Sequence, residues 1–193
     1  MNISKKLKSD LLFWGVFGAI LCFLYLTPWG SSTRTWIGGF FLSSPNMTSS
    51  ALINTDEKLL SMDWNLKNLN DQEIWISDTD KPIFINIWAT WCGPCRSEIP
   101  SINELYNTFK NDVEFMLISP DESIEKLTEF AEKNDYKLPF YNAISHTPKE
   151  LQTNSYPTTF ILDKNKNITH KLTGAHDWNS ESVQSILNEL IKQ

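Results

Sequence analysis

The apolar positions of this chain follow two regimes. Near the N-terminus, Leu11 to Leu26 run for sixteen residues with no charged or strongly polar side chain. At 1.5 Å per residue a helix over this run is about 24 Å long, and Thr27, Pro28 and Trp29 bring it near the roughly 30 Å hydrocarbon core of a bilayer. Lys5, Lys6 and Lys8 precede the run, and no lysine or arginine immediately follows it. That asymmetry predicts a cytoplasmic N-terminus with the rest of the chain outside, and Trp14, Tyr25 and Trp29 suit the two interfaces. Residues 1–29 are therefore read as a cytoplasmic tip and transmembrane anchor. A cleaved signal peptide is the alternative, although the run is long for one and no small-x-small site closes it. A lipoprotein anchor at Cys22 would have bulky Leu21 where a small residue is expected. Cys22 reads most simply as an apolar side chain of the membrane helix.

Residues 30–58 read as a linker. "GSSTRTW" and "SSPNMTSS" are rich in Ser, Thr, Gly and Pro. Between them lies "WIGGFFL", residues 36–42, too short to span a bilayer. It suits either a membrane surface or an apolar patch of the domain.

From residue 59 to 193 the pattern becomes that of a packed domain. Trp64, Leu66 and Leu69 alternate with polar residues, Asn70-Asp71 turns the chain, and "QEIWIS" returns, which predicts a hairpin over 62–77. "PIFINIWAT", 82–90, is nearly all apolar and β-branched or aromatic, as a strand buried on both faces must be. Ile99, Ile102, Leu105, Tyr106 and Phe109 then form one helical stripe. "VEFMLIS" predicts a strand, 122–134 a helix through Leu127, Phe130 and Ala131, and "FYNAI" a short strand. A short helix near 148–153, strands at 158–163 and 168–174, and a closing helix through Val183, Ile186, Leu187 and Leu190 complete the order. Alternating β and α segments imply an α/β fold: a sheet with helices on both faces and a hairpin at one edge.

Composition narrows the function. The formal net charge is −6 and no basic stripe is visible, which argues against nucleic acid as the main partner. Cysteine is scarce, with only Cys22, Cys92 and Cys95, so this is no disulfide scaffold. The Cys92–Cys95 pair stands in "ATWCGPCRSEIP" and has three possible uses. A zinc clamp needs four ligands, and His170 and His176 lie far from finger-like spacing. A structural disulfide over so short a loop is worth roughly 2 kcal/mol in the chain-entropy account, which a domain with a real core does not need. Redox exchange needs a thiolate that attacks and a second thiol that releases the mixed disulfide. The pattern places the pair where a strand ends and a helix begins, so unpaired amides and the helix dipole favour a negative sulfur. Pro94 is tolerated in that first turn. Redox use is favoured, with Cys92 the exposed nucleophile and Cys95 the buried resolver.

The segment "NIWATWCGPCRSEIP" resembles the active-site stretch of thioredoxin-fold proteins, and more narrowly of the membrane-tethered TlpA/ResA-like thiol–disulfide oxidoreductases. The resemblance covers about 62–192, with Trp91, Cys92, Gly93, Pro94, Cys95 and Pro100 in register; "YPTTFILD" and "GAHDW" also fit. It implies a thioredoxin fold with a mixed central sheet. It implies a cis peptide bond at Pro157 facing the sulfurs, with Tyr156 beside it touching the substrate or tuning Cys92; the alternatives are an ordinary strand-entry proline and a packed aromatic. Trp91, Gly93 and Pro94 would complete the substrate-binding surface. Where cytoplasmic thioredoxins carry a buried aspartate, this chain has Asn86, which cannot titrate. Glu98 stands where ResA-like relatives carry a glutamate. It would exchange a proton with Cys95, or would simply be a first-turn acid favoured by the dipole.

The resemblance implies no separate cofactor and no metal; the redox group would be the Cys92–Cys95 disulfide. It implies protein thiol or disulfide clients, a membrane electron donor and a catalytic domain outside the cytoplasm, with cytochrome c biogenesis as one setting. "CGPC" resembles reducing thioredoxins, which favours a reductase. The alternatives are a disulfide oxidase or isomerase, a thiol peroxidase, and a non-enzymatic copper-delivery or partner-binding module. Ala89 stands where peroxidases place threonine, and the copper reading lacks a well-placed histidine.

Overall fold

The structure is a computed structural model that describes residues 10, 12–20, 22, 42–45, 64–76, 79–120 and 123–193. Two compact units divide the chain, Met1–Phe41 and Leu42–Gln193. The division falls inside the segment read as a linker.

In the first unit, residues 12–20 are helical, and Leu12, Phe13, Trp14, Val16, Phe17 and Ile20 are exposed. Among the described residues no helix is long and apolar enough to cross a membrane. The anchor predicted over 11–29, like the apolar segment 36–41 and most of the linker, extends beyond the described residues.

The second unit is built on a seven-stranded mixed sheet. Its strands are β1 (Asn65–Asn68), β2 (Glu73–Trp75), β3 (Ile83–Ile87), β4 (Glu114–Ser119), β5 (Phe140–Ala143), β6 (Thr158–Leu162) and β7 (Ile168–Thr173). Their spatial order is β2-β1-β5-β4-β3-β6-β7. β3, β4 and β5 run parallel to one another in the centre, and β6 lies antiparallel on β3. The β1–β2 and β6–β7 hairpins pair antiparallel at the two ends. The predicted hairpin is thus present, and its β1 strand also docks antiparallel on β5.

All five residues of β3 are buried, as its unbroken apolar run requires. Alternation assigns them to opposite faces. Phe84, Asn86 and Trp88 face one side; Ile83, Ile85 and Ile87 face the other. The connections β3 to β4 and β4 to β5 step across the sheet in one direction, and right-handed crossovers then place both intervening helices on the same face. These are α1 (Gly93–Phe109) and α2 (Ile124–Lys133). The closing helix, α3 (Glu181–Lys192), joins them. Ile99, Ile102 and Leu105 of α1, Leu127 and Ala131 of α2, and Val183, Leu187 and Leu190 of α3 share one core.

The expectation of helices on both faces is therefore corrected in part. Among the described residues, the second face is covered by Leu151 of a 3-10 turn (Lys149–Leu151), together with Trp64 and Ile76. Each fully buried large apolar side chain contributes about 1.5–3 kcal/mol, so both layers matter to stability.

Candidate active site

α1 starts where β3 leaves the sheet, and this junction creates the site. Trp88 continues the β3 ladder by donating its backbone N–H to the carbonyl of Ile118 at 3.1 Å. Four residues later Cys92 occupies the N-cap of α1, and Pro94 lies in the first turn, where its missing N–H has no partner to lose. The Cys92 sulfur accepts the backbone N–H of Cys95 at 3.2 Å. No acidic side chain lies in the first turn. When reduced, a sulfur at this position faces the unpaired amides at the positive end of a seventeen-residue helix, which favours its thiolate.

Cys92 and Cys95 are joined as a disulfide. Their environments differ, but less than the sequence suggests. Cys95 is wholly buried, and Cys92 is only 5% exposed rather than openly exposed. That remaining surface matters because it opens onto a groove of about 520 Å³ lined by Trp91, Cys92, Gly93, Pro94, Thr153, Asn154 and Tyr156. Trp91 is 67% exposed, and its ring centroid lies 6.0 Å from that of Tyr156. A second concavity of about 240 Å³ shares Thr153, Asn154 and Tyr156 and extends to Ile87, Pro120, Thr147, Leu151 and Gln152. Among the described residues, no charged side chain lines either concavity. Thr153 and Asn154 carry no recognisable site signal in sequence; only the fold brings them to Cys92.

The Tyr156–Pro157 peptide bond is cis. Pro157 is buried at the entry of β6, and its carbonyl accepts the Gly174 N–H at 2.9 Å, which ties the strand entry to the end of β7. Gly174 has a φ of +94°, a backbone conformation that glycine adopts without a steric penalty.

Beneath the cysteines lies a buried polar network. Glu98 has no exposed surface and lies beyond the first turn of α1, so the reading of it as a first-turn acid favoured by the dipole does not hold. Its Oε1 accepts from Asn86 Nδ2 at 2.8 Å. Its Oε2 accepts from Trp178 Nε1 at 2.8 Å and from the backbone N–H of His176 at 3.1 Å. Burial pushes the Glu98 carboxyl up to about 7, against the opposing pull of the three donors. Asn86 Nδ2 also donates to Thr159 Oγ1 at 2.8 Å, from the position directly across the β3–β6 ladder. Ser101 Oγ accepts the backbone N–H of Trp178 at 3.1 Å and pins the loop to α1. Thr159 and Trp178 are therefore site-supporting residues whose roles need the fold to be seen. Trp178 leaves a trace in sequence, as the tryptophan of "GAHDW". Trp88 is fully buried core, packed on Phe130 and Phe140.

Residues 60–171 match the AhpC/TSA family. The thiol-disulfide oxidoreductase ResA of a Bacillus cereus strain is 29% identical over 188 residues, covering 95% of this chain and 98% of the relative. The ResA of Bacillus anthracis is 31% identical over 128 residues, covering 64% of this chain and 72% of the relative. Among solved structures, a DsbF homologue from Corynebacterium diphtheriae superposes with a TM-score of 0.57 at 21% identity, covering 77% of this chain and 95% of that one. A thioredoxin-like protein from Porphyromonas gingivalis gives 0.54 at 25% identity, over 67% and 90%. These superpositions establish the thioredoxin-like fold. The family match and the sequence relatives place the chain in the AhpC/TSA family and, within it, among the ResA-like thiol–disulfide oxidoreductases.

Proposed function

We propose that this thiol–disulfide oxidoreductase acts as a reductase of protein disulfides outside the cytoplasm, tethered to the membrane by its N-terminal segment. The observation that carries the reading is the unequal placement of the two sulfurs. Cys92 caps α1 and lines an open groove, while Cys95 is sealed beneath it.

The chemistry follows from that placement. In the reduced protein the Cys92 thiolate attacks one sulfur of a client disulfide. A Cys92–client mixed disulfide forms, and the second client sulfur leaves as a thiolate. Cys95 then gives up its proton and attacks Cys92. The Cys92–Cys95 bond forms, the client's remaining sulfur leaves, and two electrons have passed to the client. Glu98, three residues from Cys95 on the same helix, is the buried base for the Cys95 proton. A dithiol donor restores the enzyme by the reverse steps, and a membrane-bound electron carrier is the partner in keeping with the tether.

Trp91, Gly93, Pro94 and Tyr156 form the walls that receive the client segment around its cysteine, with Pro157 fixing the strand entry below them. The uncharged lining favours uncharged client segments. The apolar side chains exposed on helical residues 12–20 and the lysines before them support the tether and its orientation. Cysteines of apocytochromes and of other envelope proteins are the client classes in keeping with ResA-like relatives.

Equilibration of the purified protein with glutathione tests the direction. A reductase has a potential close to that of thioredoxin, about −270 mV, whereas a value of about −120 mV indicates an oxidase. Rapid turnover of hydrogen peroxide would instead favour the thiol peroxidase.

A further inference from the structure

The three donors around Glu98 are not equivalent, and the difference decides where a proton can sit. Oε2 faces the indole N–H of Trp178 and the backbone N–H of His176, two groups that can only donate. A neutral Glu98 therefore carries its proton on Oε1. There it meets Asn86 Nδ2, another donor, at 2.8 Å. Two donors cannot face one another in a buried site without forfeiting a hydrogen bond. Yet Asn86 and Thr159, alone among these partners, can change roles. An amide presents either NH2 or C=O, and a hydroxyl donates or accepts. Asn86 Oδ1 is buried and has no hydrogen-bond partner among the described residues, so an unused acceptor is already in place on the same side chain.

We propose that Asn86 is a positioning residue for the proton on Glu98: its amide turns by half a revolution when Glu98 is protonated, and the Thr159 hydroxyl reverses with it. The arrangement in the structure, with Nδ2 donating to both Glu98 Oε1 and Thr159 Oγ1, is the one that suits the ionised state. In the neutral state Oδ1 takes that place and accepts from the Glu98 hydroxyl and the Thr159 hydroxyl. The unpaired face of the amide passes from C=O to NH2, so the amide follows the proton instead of ignoring it. Burial holds Glu98 at about 7, so both states are populated around neutrality. The other charged or titratable groups on the surrounding elements are Arg96, Glu104 and Tyr106 on α1 and His176 and Asp177 on the loop after β7; Cys92 and Cys95 are joined as a disulfide and do not titrate in this state. No charged neighbour shifts Glu98, whose perturbation comes from burial and hydrogen bonds alone. An aspartate at residue 86 would add a second charge; asparagine supplies the same reach without one.

The inference uses the proposed thiol–disulfide chemistry only for the proton's purpose. The test is nuclear magnetic resonance on the full, disulfide-bonded chain in detergent, following the Glu98 carboxyl carbon and the Asn86 side-chain amide as pH changes. The expected result is one shared midpoint, with the contact between the Asn86 amide protons and the Thr159 methyl lost on the acid side. In Glu98→Gln the Asn86 signals become independent of pH over the same range. An Asn86 amide that keeps its Thr159 contact on both sides of the midpoint overturns the proposal. So does an amide that still titrates in Glu98→Gln, or a Glu98 with no midpoint. The readout needs no client, so its failure is distinct from a failure to exchange disulfides.

Discussion

Trp178 and Glu98 stand 80 residues apart in the chain and meet through a 2.8 Å hydrogen bond from the indole Nε1 to Oε2. The contact ties the loop after β7 to the helix that carries both cysteines. Its indole also packs edge-on against Phe84 of β3, with centroids 5.2 Å apart. One side chain thus joins the core, the loop and the buried carboxylate.

Trp178→Phe keeps most of the packing and removes the donor. Because burial already raises the Glu98 carboxyl and Trp178 opposes that rise, its loss moves Glu98 further up from about 7. The shift should be alkaline, seen in the carboxyl resonance and in the pH profile of Cys95 reactivity. Stability should fall by about 1–3 kcal/mol for the vacated acceptor and lost contacts, measured by urea unfolding. An unchanged pH profile with lowered stability would confine Trp178 to packing.

Stability itself should depend on pH through Glu98. The folded carboxyl sits at about 7 against the unfolded 4.5, so the folded chain binds more protons between these values. Stability contributed at this position is therefore greatest in acid and is lost as pH rises from about 4.5 to about 7, by about 3 kcal/mol. Glu98→Gln has no such titration. Its stability relative to the parent should climb across that window and level off above it, as read from denaturant midpoints at several pH values.

The groove makes a separate prediction. Trp91 is mostly exposed, with its ring tilted against that of Tyr156, so truncating it removes client contact without emptying the core, whereas Tyr156 also packs against both core layers. Trp91→Ala or Tyr156→Ala should slow exchange with a cysteine-containing peptide by about tenfold, equivalent to about 1.4 kcal/mol, in line with one aromatic contact. Reduction of a small disulfide that does not reach the walls should change little. Equal losses for both substrates would show that the aromatics act on Cys92 rather than on the client.

Much of this was legible in the sequence because strands and helices announce themselves locally. The run around Ile83–Ile87 reads as a doubly buried strand and is one. The α1 stripe names Ile99, Ile102 and Leu105, all fully buried. What resisted reading is set by contacts between distant residues. Nothing within α1 reveals that Glu98 lies under β3 and the 176–178 loop, because its partners come from residues 12, 78 and 80 positions away. Its polar character suggests a surface position; its burial depends on donors that the chain supplies from elsewhere. The gathering of α1, α2 and α3 on one face follows from strand order, which periodicity does not encode. Thr153, Asn154 and Tyr156 share the groove with Cys92 from about sixty residues away in the chain, which no local pattern encodes.

The most direct measurement is trapping with Cys95→Ser against Cys92→Ser in cells that make the full chain. With the resolving sulfur removed, Cys92 should hold its clients as mixed disulfides that vanish under reductant, and Cys92→Ser should hold none. Adducts that persist without Cys92, or a Cys95→Ser protein that captures nothing, would contradict the account.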